Sequence, residues 1–233
     1  MRSDILLMLL SSLFLALHFG LWITSLSYTS IASSVILVTA NPLFVALISY
    51  FLWGEKLTKK MLLGIGIALV GTWLIAQGGL RLSGKALLGD GLALLAALAM
   101  GSYLIIGRQM RKRIDIRHYL PIVYAGSALI LFISTLSFGY SLVGYSKTTY
   151  LMMVLLAVVP QLIGHSSLNL ALRLLPATFV SVAILGEPVG ATTLGYFILN
   201  EAPTLIEIVG GLLILGGIFT VLKQRPERVG QKL

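Results

Sequence analysis

LPATFVSVAILGEPVGATTLGYFILNEAPT, residues 175–204, is apolar enough to lie in a bilayer, yet Glu187 and Pro188 stand side by side in its middle. A carboxylate at mid-bilayer depth costs about 2.5–3.5 kcal/mol on insertion scales. A proline removes a backbone donor and frees the carbonyl four residues back, here that of Ile184. Such freed backbone is tolerated in a membrane where neighbouring protein or a water-lined cavity satisfies it. The pattern occurs twice. TSIASSVILVTANPLFVALISYFLWGEKLT, residues 29–58, aligns without gaps at a shift of 146: Pro42 meets Pro188, Tyr50-Phe51 meets Tyr196-Phe197, Glu55 meets Glu201 and Thr58 meets Thr204. The register continues beyond the quoted segments, with Gly64 meeting Gly210 and Gly71 meeting Gly217. Where the second copy has Glu187, the first has Asn41.

The rest of the chain supplies the membrane that these segments imply. Of 233 residues, 58% are hydrophobic and 11% charged, against about 25% charged in a soluble domain. The balance is that of an all-α integral membrane protein in contact with a lipid bilayer. A spanning helix needs about 20 mostly apolar residues. Eight segments qualify as transmembrane helices: Ile5–Leu26, Ala32–Leu52, Met61–Ala76, Gly89–Gly107, Tyr119–Val143, Tyr150–Leu172, Ala177–Leu199 and Ile208–Leu222. The apolar run after Arg2 is too long for a signal peptide.

Eight spans put both termini on one side. That side carries Arg2, Lys56, Lys59, Lys60, Arg108, Arg111, Lys112, Arg113, Arg117, Arg173 and the four basic residues of the tail; the other has only Arg81, Lys85 and Lys147. Basic residues mark the cytoplasmic side, so both termini are expected there. The run RQMRKRIDIR, 108–117, reads as an anchor beside anionic headgroups, not as a nucleic-acid surface. Zero cysteines exclude disulfides and thiolate metal sites, and neither a cofactor loop nor a metal-binding motif is found.

In this topology the 146-residue shift crosses five spans, an odd number, so the two copies face opposite ways. An inverted repeat is the layout of secondary transporters, which bind solute near the midplane. The expected organisation is an incomplete first repeat of three spans (1–80), a linker (81–88), a complete second repeat of five spans (89–222) and a polar cytoplasmic tail (223–233).

The span ending WGEKLT, its echo LNEAPT, the preceding ANPLF and GEPVG, and GDGLALLAALAMGSYLIIGRQMRK (89–112) together resemble the EamA-type permeases of the drug/metabolite transporter superfamily. The resemblance covers essentially the whole chain. It implies two five-span units, ten spans in all, with the first two spans of the first unit not represented, and a bacterial or archaeal plasma membrane. It also implies that the region around Tyr103 lines the cavity.

Polar residues inside the spans are the candidate site. Asn41-Pro42 and Glu187-Pro188 form two polar–proline pairs at one depth, with Pro42 and Pro188 as helix breakers. In the sixth span Gln161, His165, Asn169 and Arg173 recur every four residues and share a helix face; Arg173 belongs to the rim. His18 and Trp22 share a face of the first span, and His18 nearly coincides with His165 in the 146 register. Histidine titrates in the working pH range, so His165, like Glu187, is a candidate proton carrier. The plainer alternative for each is interhelical hydrogen bonding, worth about 0.6 kcal/mol on average in membrane proteins. Glu55 and Glu201 lie at span ends before Thr58 and Thr204, which can act as N-caps, and Asp90 reads as a cap of the fourth span.

These features point to a permease or exporter of small polar metabolites such as amino acids or nucleosides, working by alternating access, with no cofactor. Proton coupling and a homo-oligomer are both open to such a protein. The competing expectation is a non-transporting fragment or assembly partner. An intramembrane enzyme is disfavoured: no HExxH, GxSxG or paired-aspartate set occurs, and Asp4, Asp90 and Asp115 all lie near span ends.

Overall fold

The computed structural model describes residues 2–53, 58–76, 84–200 and 202–224. Glu55, Glu201, the first three residues of the expected linker and most of the tail fall outside them. Among the described residues all regular structure is helical, in the order α1 (Arg2–Ser25), α2 (Ile31–Val38), α3 (Asn41–Trp53), α4 (Lys59–Ala76), α5 (Gly84–Arg111), α6 (Ile116–Ser137), α7 (Lys147–Leu156), a π-helical segment (Ala157–His165), α8 (Ser166–Ala171), α9 (Ala177–Ile184), α10 (Glu187–Leu199) and α11 (Leu205–Leu222). Among the described residues seven helical stretches are long and apolar enough to cross a membrane, so the chain is a multi-pass membrane protein. The remaining expected span, Met61–Ala76, lies within α4, a helix that opens on Lys59 and Lys60.

The two proline-bearing spans are each broken. The chain turns at Thr39-Ala40 between α2 and α3, and at Leu185-Gly186 between α9 and α10. Pro42 and Pro188 therefore occupy the second residue of a new helix, where a missing N–H costs nothing. The offset of 146 residues carries from sequence to helix ends: α2 with α9, α3 with α10 and α4 with α11 begin and end at equivalent residues.

Two packings organise the bundle. α1 runs antiparallel to α5: Thr29, just beyond the end of α1, bonds Asp90, His18 bonds Ala96, and Asp4 pairs with Arg113 at 3.2 Å. α4 and α11 also cross antiparallel, through glycines. A Cβ on Gly64 would lie 2.8 Å from the carbonyl oxygen of Gly217, and one on Gly71 2.5 Å from that of Gly210. Each glycine thus meets the repeat-equivalent of the other, the reciprocal contact of a two-fold interface. Small residues let the backbones approach where lipid gives no hydrophobic incentive to associate.

Two helix ends differ from expectation. α6 stops at Ser137, short of Val143, because the chain turns through Gly139 and Gly144, both at positive φ (73° and 93°). α5 begins at Gly84, so Asp90 lies inside it and does not cap it. Its carboxylate accepts from Thr29 Oγ1 and Ser33 Oγ, both at 2.7 Å, and ties the start of α2 to α5. Thr58 and Thr204 do cap α4 and α11; Thr204 and Glu207 form a reciprocal capping box.

Candidate functional site

A cavity of about 320 Å³ opens among α1, the π segment and the two helix breaks. His18 and Trp22 reach it from α1, Val38, Thr39 and Asn41 from the first break, and Ala183, Ile184 and Glu187 from the second. Pro160, Gly164 and His165 of the π segment and Leu168 of α8 close another side. Along α5 it meets Met100, between the Asp90 contact at one end and Arg108 at the other.

Five residues singled out in the sequence line this cavity: His18, Trp22, Asn41, His165 and Glu187. Asn41 is 2% exposed. Its Nδ2 donates to the carbonyl of Val38 at 3.4 Å, in the turn that the break creates, while its Oδ1 is enclosed without a partner. His18 donates from Nδ1 to the carbonyl of Ala96 at 3.0 Å, an acceptor that fixes the proton on that nitrogen. Its ring stacks on Trp22 with centroids 5.9 Å apart, and Trp22 Nε1 has no acceptor. His165 lies 6.4 Å from His18 and 5.3 Å from Phe19, and its Nδ1 is enclosed without a partner. Glu187 remains exposed at the start of α10.

Asn169, Tyr103 and Gln161 are not among the lining residues. Asn169 and Tyr103 are fully buried behind His165: Asn169 Nδ2 donates to Tyr103 Oη at 2.5 Å and to the carbonyl of His165 at 2.8 Å. Gln161 is half-buried, with Oε1 enclosed and unpartnered. The four-residue stripe is re-aimed because residues 157–165 are wound as a π-helix around Pro160. π segments bond i to i+5 and are common at functional sites. A proline in an apolar helix flags a disturbance, but its hand and length were not readable.

Beyond Asn169 the end of α8 is clamped to α5. Arg111, only 2% exposed, donates from Nε to the carbonyl of Asn169 at 3.2 Å and from its guanidinium to that of Ile114. Arg108 donates to the carbonyl of Leu172 at 2.6 Å. Cations at a helix C-terminus satisfy its free carbonyls and suit its dipole. In the sequence these arginines carry only a topological signal, and nothing in their spacing distinguishes a buried from a headgroup-facing side chain.

The arrangement can receive a solute. Trp22 Nε1 is a donor, Asn41 Oδ1 an acceptor and His165 Nδ1 either, and all three lack partners at one cavity. Buried polar groups are normally satisfied, and a cluster of exceptions marks a place where something else bonds them. Among the described residues no group of three or more His, Cys, Asp or Glu could hold a metal ion.

Known proteins resemble this chain across most of its length. It is 25% identical over 189 residues to an uncharacterized transporter of Bacillus subtilis (strain 168), covering 81% of this chain and 61% of the relative. It is 28% identical over 220 residues to a probable amino-acid metabolite efflux pump of Escherichia coli (strain K12), covering 89% of this chain and 70% of that protein. A solved crystal structure superposes with a TM-score of 0.77 at 21% identity, over 91% of this chain and 74% of the other, a likeness of fold. The chain thus spans about three fifths of the length of the first of these relatives. The EamA-like transporter family matches residues 2–77 and 87–223, nearly the whole sequence, and the chain belongs to that family.

Proposed function

We propose that the chain serves as a secondary transporter of small polar metabolites, amino acids or nucleosides among them, by alternating access around the central cavity. The observation that carries this is the gathering of three unpartnered polar atoms, on Trp22, Asn41 and His165, at the meeting point of two broken helices. Broken helices with polar groups at the break are how transporters expose backbone and bind solute near the midplane. The 146-residue recurrence of helix ends and the reciprocal glycine contacts of α4 and α11 support two inverted units, 1–80 and 89–222, that rock against each other. Eight spans, cytoplasmic termini and a plasma membrane complete the proposal. Efflux is the favoured direction by likeness to the amino-acid metabolite pump. If a proton is coupled, His18, His165 and Glu187 are the groups at the cavity able to carry it.

One observation favours a second reading, an assembly partner. No residue of α7 is buried, so that helix can receive another chain. A probable flippase subunit of Hamiltonella defensa matches a third of this chain at 35% identity, and a homo-oligomer would use the same helix. The test is passage of labelled amino acids and nucleosides across vesicles that contain the purified protein alone. Transport is expected, with at least a tenfold loss of kcat/KM in Asn41→Leu and Trp22→Phe at unchanged insertion. Both variants transporting at the wild-type rate would overturn the cavity's role, and transport only after a second protein is added would establish the assembly reading.

A further inference from the structure

The cavity's charge pattern speaks to the kind of solute, on the premise that the cavity is a solute site. With the histidines neutral, Glu187 is the one lining residue with a formally charged side chain at neutral pH, and no lysine or arginine is among the described residues that line it. The two helix breaks add dipole charge, about half a unit at each helix end. Those contributions cancel in pairs. The break at residues 39–40 presents the C-terminal end of α2 (Val38) beside the N-terminal end of α3 (Asn41), and the break at 185–186 presents that of α9 (Ile184) beside that of α10 (Glu187). What remains uncompensated is the carboxylate.

Of the uncharged groups, Asn41 leans the same way, whereas the Trp22 N–H asks for an acceptor and His165 Nδ1 can serve either role. Asn41 is more than nine-tenths buried with its acceptor Oδ1 unsatisfied, so it calls for a donor N–H. Another part of the lining is flat and π-rich: the His18 and Trp22 rings stack at an interplanar angle of 20°. A cation over an indole face is attracted by the ring quadrupole, most strongly where water is excluded. An anion in the same place would meet a like charge at low dielectric with no fixed cation to offset it.

We infer that the cavity takes a small aromatic amine in its protonated form, with Glu187 as counter-charge, Asn41 Oδ1 as hydrogen-bond acceptor and the His18–Trp22 pair as the flat wall. A zwitterion brings its own carboxylate to a cavity whose lining has no lysine or arginine for it, and a free carboxylic acid brings only that.

Four probes share one ring and isolate the charge: phenethylamine, phenylalanine, 3-phenylpropionate and uncharged 2-phenylethanol. Binding to the purified protein in lipid nanodiscs is measured by equilibrium dialysis. Phenethylamine is expected to bind at least tenfold more tightly than phenylalanine and 3-phenylpropionate. Glu187→Gln is expected to weaken phenethylamine at least tenfold and leave 2-phenylethanol unchanged, while Glu187→Asp keeps phenethylamine binding within a few-fold. 2-Phenylethanol binding serves as the check that each variant is folded. Equal or tighter binding of the acid or the zwitterion, an unchanged amine affinity in Glu187→Gln, or no binding by any probe would overturn the inference. Because dialysis needs no transport, amine binding without solute passage would remove the transporter role alone. Solute passage with anion-preferring binding would remove this inference alone.

Discussion

The imidazole rings of His18 and His165 stand 6.4 Å apart in the cavity lining, yet they are held quite differently. His18 is 6% exposed and anchored through Nδ1 to the carbonyl of Ala96 in α5. His165 is half-buried, with an enclosed Nδ1 that bonds to nothing. One ring belongs to the α1–α5 packing as much as to the cavity, while the other is offered to the cavity.

Their removal should therefore have unequal effects. His18→Ala is expected to cost about 2–3 kcal/mol, from a vacated buried volume and a lost hydrogen bond. His165→Ala enlarges a space that already exists and should cost about 1 kcal/mol or less. Thermal unfolding of the two variants in the same detergent checks this. Equal destabilisation would mean that His165 is a packing residue like its partner.

The glycine crossing of α4 and α11 gives a prediction with an internal control. A Cβ on Gly71 would sit 2.5 Å from the carbonyl oxygen of Gly210, where backbone cannot yield cheaply, whereas a Cβ on Gly66, in the same helix, meets nothing within 4 Å. Gly71→Ala should destabilise by about 1–3 kcal/mol through overpacking. Gly66→Ala should be neutral or stabilise by up to about 1 kcal/mol, the helix propensity difference. The same unfolding measurement decides it, and destabilisation by both would show that the face of α4 bearing Gly66 is also in contact.

Outside the membrane, Asp115 caps α6: its carboxylate accepts from the backbone N–H of Arg117 at 2.9 Å. That bond, with help from nearby arginines, holds its pKa below the ordinary carboxylate value. A carboxylate whose folded pKa is depressed stabilises fully above its unfolded pKa, and this contribution disappears as pH falls through the lower folded value. Asp115→Ala should lower the melting temperature at pH 7, and the gap from wild type should narrow below about pH 4. A gap independent of pH would mean that the ionised carboxylate contributes nothing.

Much of this was legible because a bilayer makes polar residues expensive. Asn41-Pro42 and Glu187-Pro188 stood out against apolar surroundings, and both now lie at helix breaks on one cavity. What stayed hidden depended on backbone geometry or on contacts distant in sequence. Counting in fours put Gln161 on the face of His165, but π winding moves it out of the lining. Asp90 near a span start looked like a cap, and only the fold brings Thr29 and Ser33 within 2.7 Å of it. The same holds for Tyr103 and Asn169, which sit 66 residues apart in the chain.

That last pair can be tested without a transport assay. Asn169 Nδ2 donates both to Tyr103 Oη and to the carbonyl of His165 at the end of the π segment. Tyr103→Phe leaves the amide one of its two acceptors and should cost about 0.5–1.5 kcal/mol. Asn169→Ala removes both bonds and a buried side chain and should cost about 2–4 kcal/mol. Once the amide is gone the tyrosine hydroxyl has lost its donor, so Tyr103→Phe in the Asn169→Ala background should cost markedly less than in wild type. A double-mutant cycle from unfolding in detergent reads that difference, expected at about 0.5–1.5 kcal/mol of coupling. Strict additivity would mean that the hydroxyl and the amide do not act on each other, and that the π segment is held in place behind the cavity by packing alone.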